Sequence, residues 1–167
     1  MAHSAIYGMT ETGKTTLARV LAGIGKKQGR KVLVFDPFLT QWPGADFLTA
    51  DIEKLDSVVT SNKGCDVFID ESGRALERND TAFAHLATLS RHFGHRMFFI
   101  CQHPTMITPT IRGNCAAIYC FFLSQKQADF IADETGHEIL RQAPTLKQGE
   151  YFAIMGTFAE PRKMRVF

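Results

Sequence analysis

Apolar residues gather in short runs separated by longer amphipathic segments, and this alternation repeats along most of the chain. The runs Ala2 to Tyr7, Lys31 to Phe35, "CDVFID" (65–70), "RMFFIC" (96–101) and "AAIYCFFL" (116–123) predict buried strands. Between them, a helix is expected from Lys14 to Gln28, with Leu17, Val20, Leu21 and Ile24 as its apolar stripe. A short helix falls within 50–62. The clearest helix covers 79–93, with Phe83, Leu86, Ser90 and Phe93 on adjacent turns and Leu89 beside them. A Pro-bounded helix follows around Pro109 to Asn114. The helix over "ADFIADE" opens on a Ser124/Gln127 capping-box pattern and stops at Gly136. Pro37, Pro43 and Gly44 make the segment after Phe35 mostly loop. The tail from Gly149 reads as a β-hairpin around Gly156 at a sheet edge. Strands alternating with helices predict an α/β fold, with a mostly parallel central sheet covered by helices on both faces.

Composition narrows this picture. A chain of 167 residues suits a single domain, 1–167, with a full hydrophobic core. Hydrophobic residues at 45% and charged ones at 22% are ordinary globular values, which argues against a disordered or fibrous chain. A formal charge of +2 implies no polyanion partner by itself, although a ring of subunits can concentrate positive charge locally. Cys65, Cys101, Cys115 and Cys120 show no CxxC spacing, and a zinc set of Cys101, His103 and Cys115 lacks any ligand-pair spacing. No apolar stretch approaches the roughly 18 residues of a membrane span, so a soluble, intracellular location is expected.

Candidate chemistry begins between the first strand and the first helix. Gly8-Met9-Thr10-Glu11-Thr12-Gly13-Lys14-Thr15-Thr16 fits the phosphate-cradling pattern GxxxxGK[ST]. Glycines permit the positive φ angles that turn backbone N–H groups inward, and the following helix points its positive end at the same place. Lys14 is expected to reach the β and γ phosphates of ATP, and the Thr15 hydroxyl to ligate Mg²⁺. The chain is therefore read as a P-loop NTPase. A hydrolysing site also needs carboxylates, and Asp70 and Glu71 end an apolar run. Asp70 takes the Mg²⁺ role and Glu71 that of general base; two acids at a solvated strand end are the plain alternative. Gln102, after "RMFFIC", is expected to project toward the γ-phosphate or simply to cap its strand. The expected sheet is ASCE/RecA-like, with the five strands in the order 5-1-4-3-2.

Beyond Asp70 the motifs form an ordered set. Arg91 and Gly94 precede the "RMFFIC" strand, Gln102 and Pro104 follow it, Ile111, Arg112 and Asn114 end the short helix, and Ser124 stands in the next turn. Over about residues 4 to 135 this resembles the FtsK–HerA superfamily of DNA-pumping ATPases, most of all the compact genome-packaging ATPases of membrane-containing tailless viruses. The resemblance implies a homo-oligomeric, hexameric ring that hydrolyses ATP with Mg²⁺ and moves double-stranded DNA without sequence preference. It implies that Arg91 acts in trans on the γ-phosphate of the neighbouring subunit, with Arg96, Arg74 and Arg112 as the next candidates. It further implies a docking partner, a capsid or viral membrane protein at the packaging vertex, and a location in the host cytoplasm or at a virion vertex. The loop that faces the ring pore in such motors is short here, "SGRALERND", and its Arg74 and Arg78 either contact DNA phosphates or are solvated.

Other readings remain open. One is a secretion, conjugation or phage-assembly ATPase of the same superfamily. Another is a small-molecule kinase or a GTP-dependent switch. The chain carries no [NT]KxD guanine-reading motif and no Arg-rich lid, and Glu71 suits water activation better than phosphate transfer to a second substrate.

Overall fold

Eight strands form one sheet in the computed structural model, which describes residues 3–70 and 75–167. They are β1 (His3–Tyr7), β2 (Val32–Phe35), β3 (Phe47–Thr49), β4 (Asp66–Asp70), β5 (Arg96–Cys101), β6 (Cys115–Cys120), β7 (Glu150–Met155) and β8 (Arg162–Arg165). Their order across the sheet is β3-β2-β4-β5-β1-β6-β7-β8. From β3 to β6 every pairing is parallel, whereas β7 and β8 join antiparallel as a terminal hairpin. Five helices cover the sheet: α1 (Lys14–Lys27), α2 (Ile52–Ser61), α3 (Ala75–Ser90), α4 (Pro109–Asn114) and α5 (Gln125–Thr135).

Alternation of side chains along each strand divides the core in two. In β1, Ala5 and Tyr7 join Leu55, Phe83, Leu86, Phe99 and Ile131 on the face carrying α2, α3 and α5. Ile6 instead joins Leu17, Ala18, Phe68, Phe98 and Phe121 on the face carrying α1. Phe68 and Phe98 stack there with ring centroids 4.4 Å apart. The central strands are buried on both faces, which is why they read as continuous apolar runs.

Several local expectations need correction. The buried stripe of α1 is Leu17, Ala18, Ala22 and Gly25, while Val20 and Ile24 stay exposed. Small residues face the sheet, so α1 approaches it closely. A Cβ built on Gly25 would lie 2.1 Å from Asp66 Oδ2. The last two residues of the segment expected as loop, Phe47 and Leu48, form β3 together with Thr49, which adds an edge by pairing with β2. Helix α3 ends at Ser90, before Arg91. A turn follows, in which Gly94 adopts φ 71° and His95 N–H donates to the Ser90 carbonyl. Ser124 occupies the N-cap of α5, but its hydroxyl makes no capping bond; Gln127 and Ala128 N–H close the turn on its carbonyl. Residues Glu138–Thr145 add a 3₁₀ segment that buries Leu140 and Ala143.

Candidate nucleotide site

Four strands deliver the site from their carboxyl ends, where open parallel sheets receive ligands. The chain leaves β1 at Tyr7, whose carbonyl accepts from Phe121 N–H, and Met9 N–H donates to Phe122 O at 3.0 Å. The loop to α1 therefore rises between β5 and β6. Gly8 is required by close approach: a Cβ there would stand 2.6 Å from Phe121 Cβ and 2.8 Å from Thr12 Oγ1. Gly13 caps α1 in the left-handed region, at φ 114°, a conformation that other residues adopt only under strain. The Thr12 hydroxyl and Lys14 Nζ both donate to the Met9 carbonyl, each at 2.8 Å, and brace the loop from inside. Leu17 N–H donates to Gly13 O, so the preceding N–H groups of the first turn have no partner within the helix and are available to an anion.

Opposite the loop stands Asp70, at the end of β4. Its carboxyl is pushed up to about 6, first by burial and then by the nearby Asp36; Lys14, Arg19 and a hydrogen bond from Thr15 work against the shift. Asp36 directly follows β2 and is itself buried, accepting from Phe38 N–H at 2.8 Å and Thr40 N–H at 2.9 Å. Burial likewise holds the Lys14 ammonium below its ordinary range, against the pull of Cys101 and Asp70. The Thr15 hydroxyl and the Asp70 carboxylate thus form a joined pair of hard oxygen ligands. With Asp36 behind them they suit a small divalent cation such as Mg²⁺. Gln102, just past β5, donates from Nε2 to Thr10 Oγ1 at 3.3 Å and so ties the end of β5 to the loop.

Residues 8 to 16, Asp70 and Gln102 therefore meet at one end of the sheet. Arg91 does not join them. It lies at the opposite end, where Nη2 donates to the Asn114 carbonyl at 3.0 Å, just before β6 begins. Arg96 is engaged with Asp66, and Arg112 with Glu134 and the Pro104 and Ile107 carbonyls. Glu71 and Arg74 lie outside the described residues, as does the Arg78 side chain.

Two lining residues were not anticipated from the sequence. A cavity of about 420 Å³ runs beside the loop, lined by Glu11, Gly13, Lys14, Thr15 and Thr16, with Gln148 and Phe167 opposite. Gln148 Nε2 donates to Glu11 O at 3.1 Å, and Gly149 N–H to Thr12 O at 3.0 Å. These contacts depend on β7 and β8 extending the sheet beyond β6. The only sequence signal for them was the hairpin pattern of the tail.

No protein-family model matches the sequence, and no curated protein matches it. Solved structures do match, over nearly the whole chain. B204, the DNA-packaging ATPase from Sulfolobus turreted icosahedral virus, superposes with a TM-score of 0.80 at 14% identity, over 98% of this chain and 97% of that one. The B204 genome-packaging NTPase of Sulfolobus turreted icosahedral virus 2, in complex with ATP-γS, gives 0.74 at 11% identity, over 98% and 97%. The pCW3 conjugation coupling protein TcpA, in its monomer form with ATPγS, gives 0.69 at 17%, over 98% of this chain and 59% of that one. At these identities the likeness is one of fold: this chain shares the P-loop α/β fold of those proteins.

Proposed function

We propose that this chain is an ATP-hydrolysing double-stranded DNA translocase of the FtsK–HerA superfamily, one domain that works as a homo-oligomeric, hexameric ring. In this reading it packages a viral genome into a preformed capsid. It docks on a capsid or membrane protein at the packaging vertex, in the host cytoplasm or within the virion. The loop 8–16 holds the ATP phosphates, Lys14 lies on the β and γ groups, and Thr15 and Asp70 hold Mg²⁺. That ion supplies charge neutralisation at the phosphates when bound. Glu71 accepts the proton of the attacking water, Gln102 registers the γ-phosphate, and Arg91 serves the neighbouring subunit. Arg74 and Arg78 face DNA phosphates.

The observation that carries this reading is end-to-end correspondence with a DNA-packaging ATPase, over 98% of one chain and 97% of the other. It joins a site in which Thr15, Asp70 and Gln102 converge on the phosphate loop. The decisive measurement is phosphate release from ATP with and without long double-stranded DNA of arbitrary sequence. Release should rise with DNA, lose that stimulation as salt increases, and vanish in Lys14→Ala. ATP hydrolysis indifferent to DNA at low salt would remove the translocase reading and leave an ATPase of other purpose. A secretion, conjugation or phage-assembly ATPase of the same superfamily is the second reading, and the conjugation protein TcpA shares the fold. Stimulation by single-stranded rather than double-stranded DNA would favour it.

A further inference from the structure

The sheet order fixes which way a nucleotide must lie. Asp70 and Gln102, which belong with the γ-phosphate, come from β4 and β5 on one side of β1. The cavity beside the loop opens on the other side, past Thr16, toward β6, β7 and β8. A triphosphate whose terminal group meets Asp70 therefore sends its sugar and base toward Gln148 and Phe167.

Phe167 is built to meet a flat ligand. Val166 N–H donates to Gly149 O at 2.9 Å and Val166 packs on the α1-side core, so the backbone beneath the ring is anchored. The ring rests on two residues without side chains. A Cβ on Gly149 would come within 2.9 Å of Phe167 Cε2, and one on Gly13 within 3.3 Å of Cε1. The side away from these glycines is open, and Phe167 is 56% exposed. An exposed aromatic ring seated on backbone in a cavity shared with a phosphate loop offers a stacking surface. Hydrogen-bond readers are scarce there by comparison. The cavity's one amide side chain, Gln148, already spends its Nε2 on the Glu11 carbonyl.

We infer that Phe167 is the platform on which the nucleotide base stacks, so that the base is held by its π-face rather than read by its edge. The inference rests on the nucleotide-site reading above. It makes two statements: Phe167 contributes to nucleotide affinity through the base alone, and purine triphosphates are accepted with little discrimination.

The test compares ATP, GTP and inorganic triphosphate binding to the full chain as wild type, Phe167→Ala, Phe167→Tyr and Lys14→Ala. Phe167→Ala should weaken ATP and GTP by similar factors, on the order of tenfold or more, in line with aromatic–base stacking. Inorganic triphosphate should bind it as it binds wild type, which also shows that the loop is still folded. Phe167→Tyr should restore both purines. Unchanged ATP affinity in Phe167→Ala overturns the inference, as does an equal loss for inorganic triphosphate, which would make the ring a support for the loop. A wild-type preference of ATP over GTP above about a hundredfold, more than an apolar surface supplies and tending toward the roughly 10⁴-fold of a site built to hydrogen-bond, overturns it as well. Failure of the underlying reading looks different: wild type would bind neither ATP nor inorganic triphosphate, or Lys14→Ala would bind both normally.

Discussion

Strand β4 begins and ends with an aspartate, and the two are treated in opposite ways. Asp66, at its start, is fully buried and clamped by two arginines: Arg30 Nε at 2.6 Å, Arg96 Nε at 2.7 Å and Arg96 Nη2 at 2.5 Å. Arg30 extends the network to the Cys65 and Gly94 carbonyls, so that α1, β4 and the turn before β5 are tied together. Asp70, at its end, has no such clamp among the described residues. Its surroundings add the repulsion of Asp36 to the cost of burial and offset it with a threonine hydroxyl and more distant cations. One carboxylate is neutralised by the fold; the other is kept short of positive charge at the place where a phosphate-bound cation is expected. Removing each should therefore have opposite consequences for stability.

The largest effect belongs to Asp66. Asp66→Ala leaves Arg30 and Arg96 partly buried without a counter-charge, and such a loss typically costs about 3–5 kcal/mol. Chemical denaturation should show that loss as a lower midpoint at unchanged slope. A change below about 1 kcal/mol, the range of an exposed ion pair, would show that the clamp is merely a surface contact.

Asp70→Asn should do the reverse. It removes a charge that the native state disfavours, so the ligand-free protein should gain on the order of 1–3 kcal/mol at pH 7 while Mg²⁺-dependent ATP binding is lost. The pH dependence sharpens the point. With a folded value of about 6 against the ordinary 3.8 of a free aspartate, Asp70 binds its proton more tightly in the native state. Its contribution is thus favourable at low pH and is lost as pH rises from about 4 to 6. His3 and His95 act oppositely. Both are buried, and burial lowers their values, although hydrogen bonds to the Ala87 and Val59 carbonyls pull the other way. Their contribution is complete above about 6.5 and falls away on acidification. In wild type the two trends cancel in part between pH 4 and 6. In Asp70→Asn the opposing Asp70 trend is gone, so stability should fall more steeply on acidification than in wild type, by up to about 1.4 kcal/mol per pH unit. Parallel curves for the two proteins would place the Asp70 carboxyl at an ordinary value.

The contrast also explains what the sequence could show. Asp70 was legible because strand, phosphate loop and acid follow one another in a recognisable order, and the loop residues themselves lie within nine consecutive positions. The clamp on Asp66 was not, because Arg30 and Arg96 lie 36 and 30 residues from it and neither spacing carries a local signal. The stripe of α1 was misread for a related reason. Hydrophobicity ranks Val20 and Ile24 above Ala22 and Gly25, but the helix packs on its small residues so that Gly25 can lie against the Asp66 carboxylate. Periodicity detects greasy faces; it does not detect close ones. Phe167 was missed because its partners, Gly13 and Gly149, are brought to it by sheet order alone.

The smallest effect on folding is expected at Arg91, together with a large one on function. Arg91 sits at the same end of the sheet as Asp66, where Arg30 and Arg96 are drawn into the clamp and Arg112 pairs with Glu134 at 2.7 Å. Among the described residues Arg91 makes a single hydrogen bond, to the Asn114 carbonyl, and it is exposed. Arg91→Ala should shift the unfolding free energy by no more than about 0.5 kcal/mol, as for other surface substitutions. A strand of six residues, roughly 17 Å, separates this end of β6 from the phosphate loop of the same subunit, too far for a side chain to reach. Any role of Arg91 in hydrolysis must then be exercised on a neighbour. On that reading Arg91→Ala lowers DNA-stimulated hydrolysis by a factor of about 10³ or more, the usual worth of an arginine supplied in trans. Lys14→Ala is inactive for a different reason. Mixing the two proteins should restore part of the activity, because an intact loop from one can face an intact arginine from the other. Mixed rings that form and hydrolyse nothing at any ratio would exclude Arg91 as the trans-acting residue and leave its bond to Asn114 as its whole purpose.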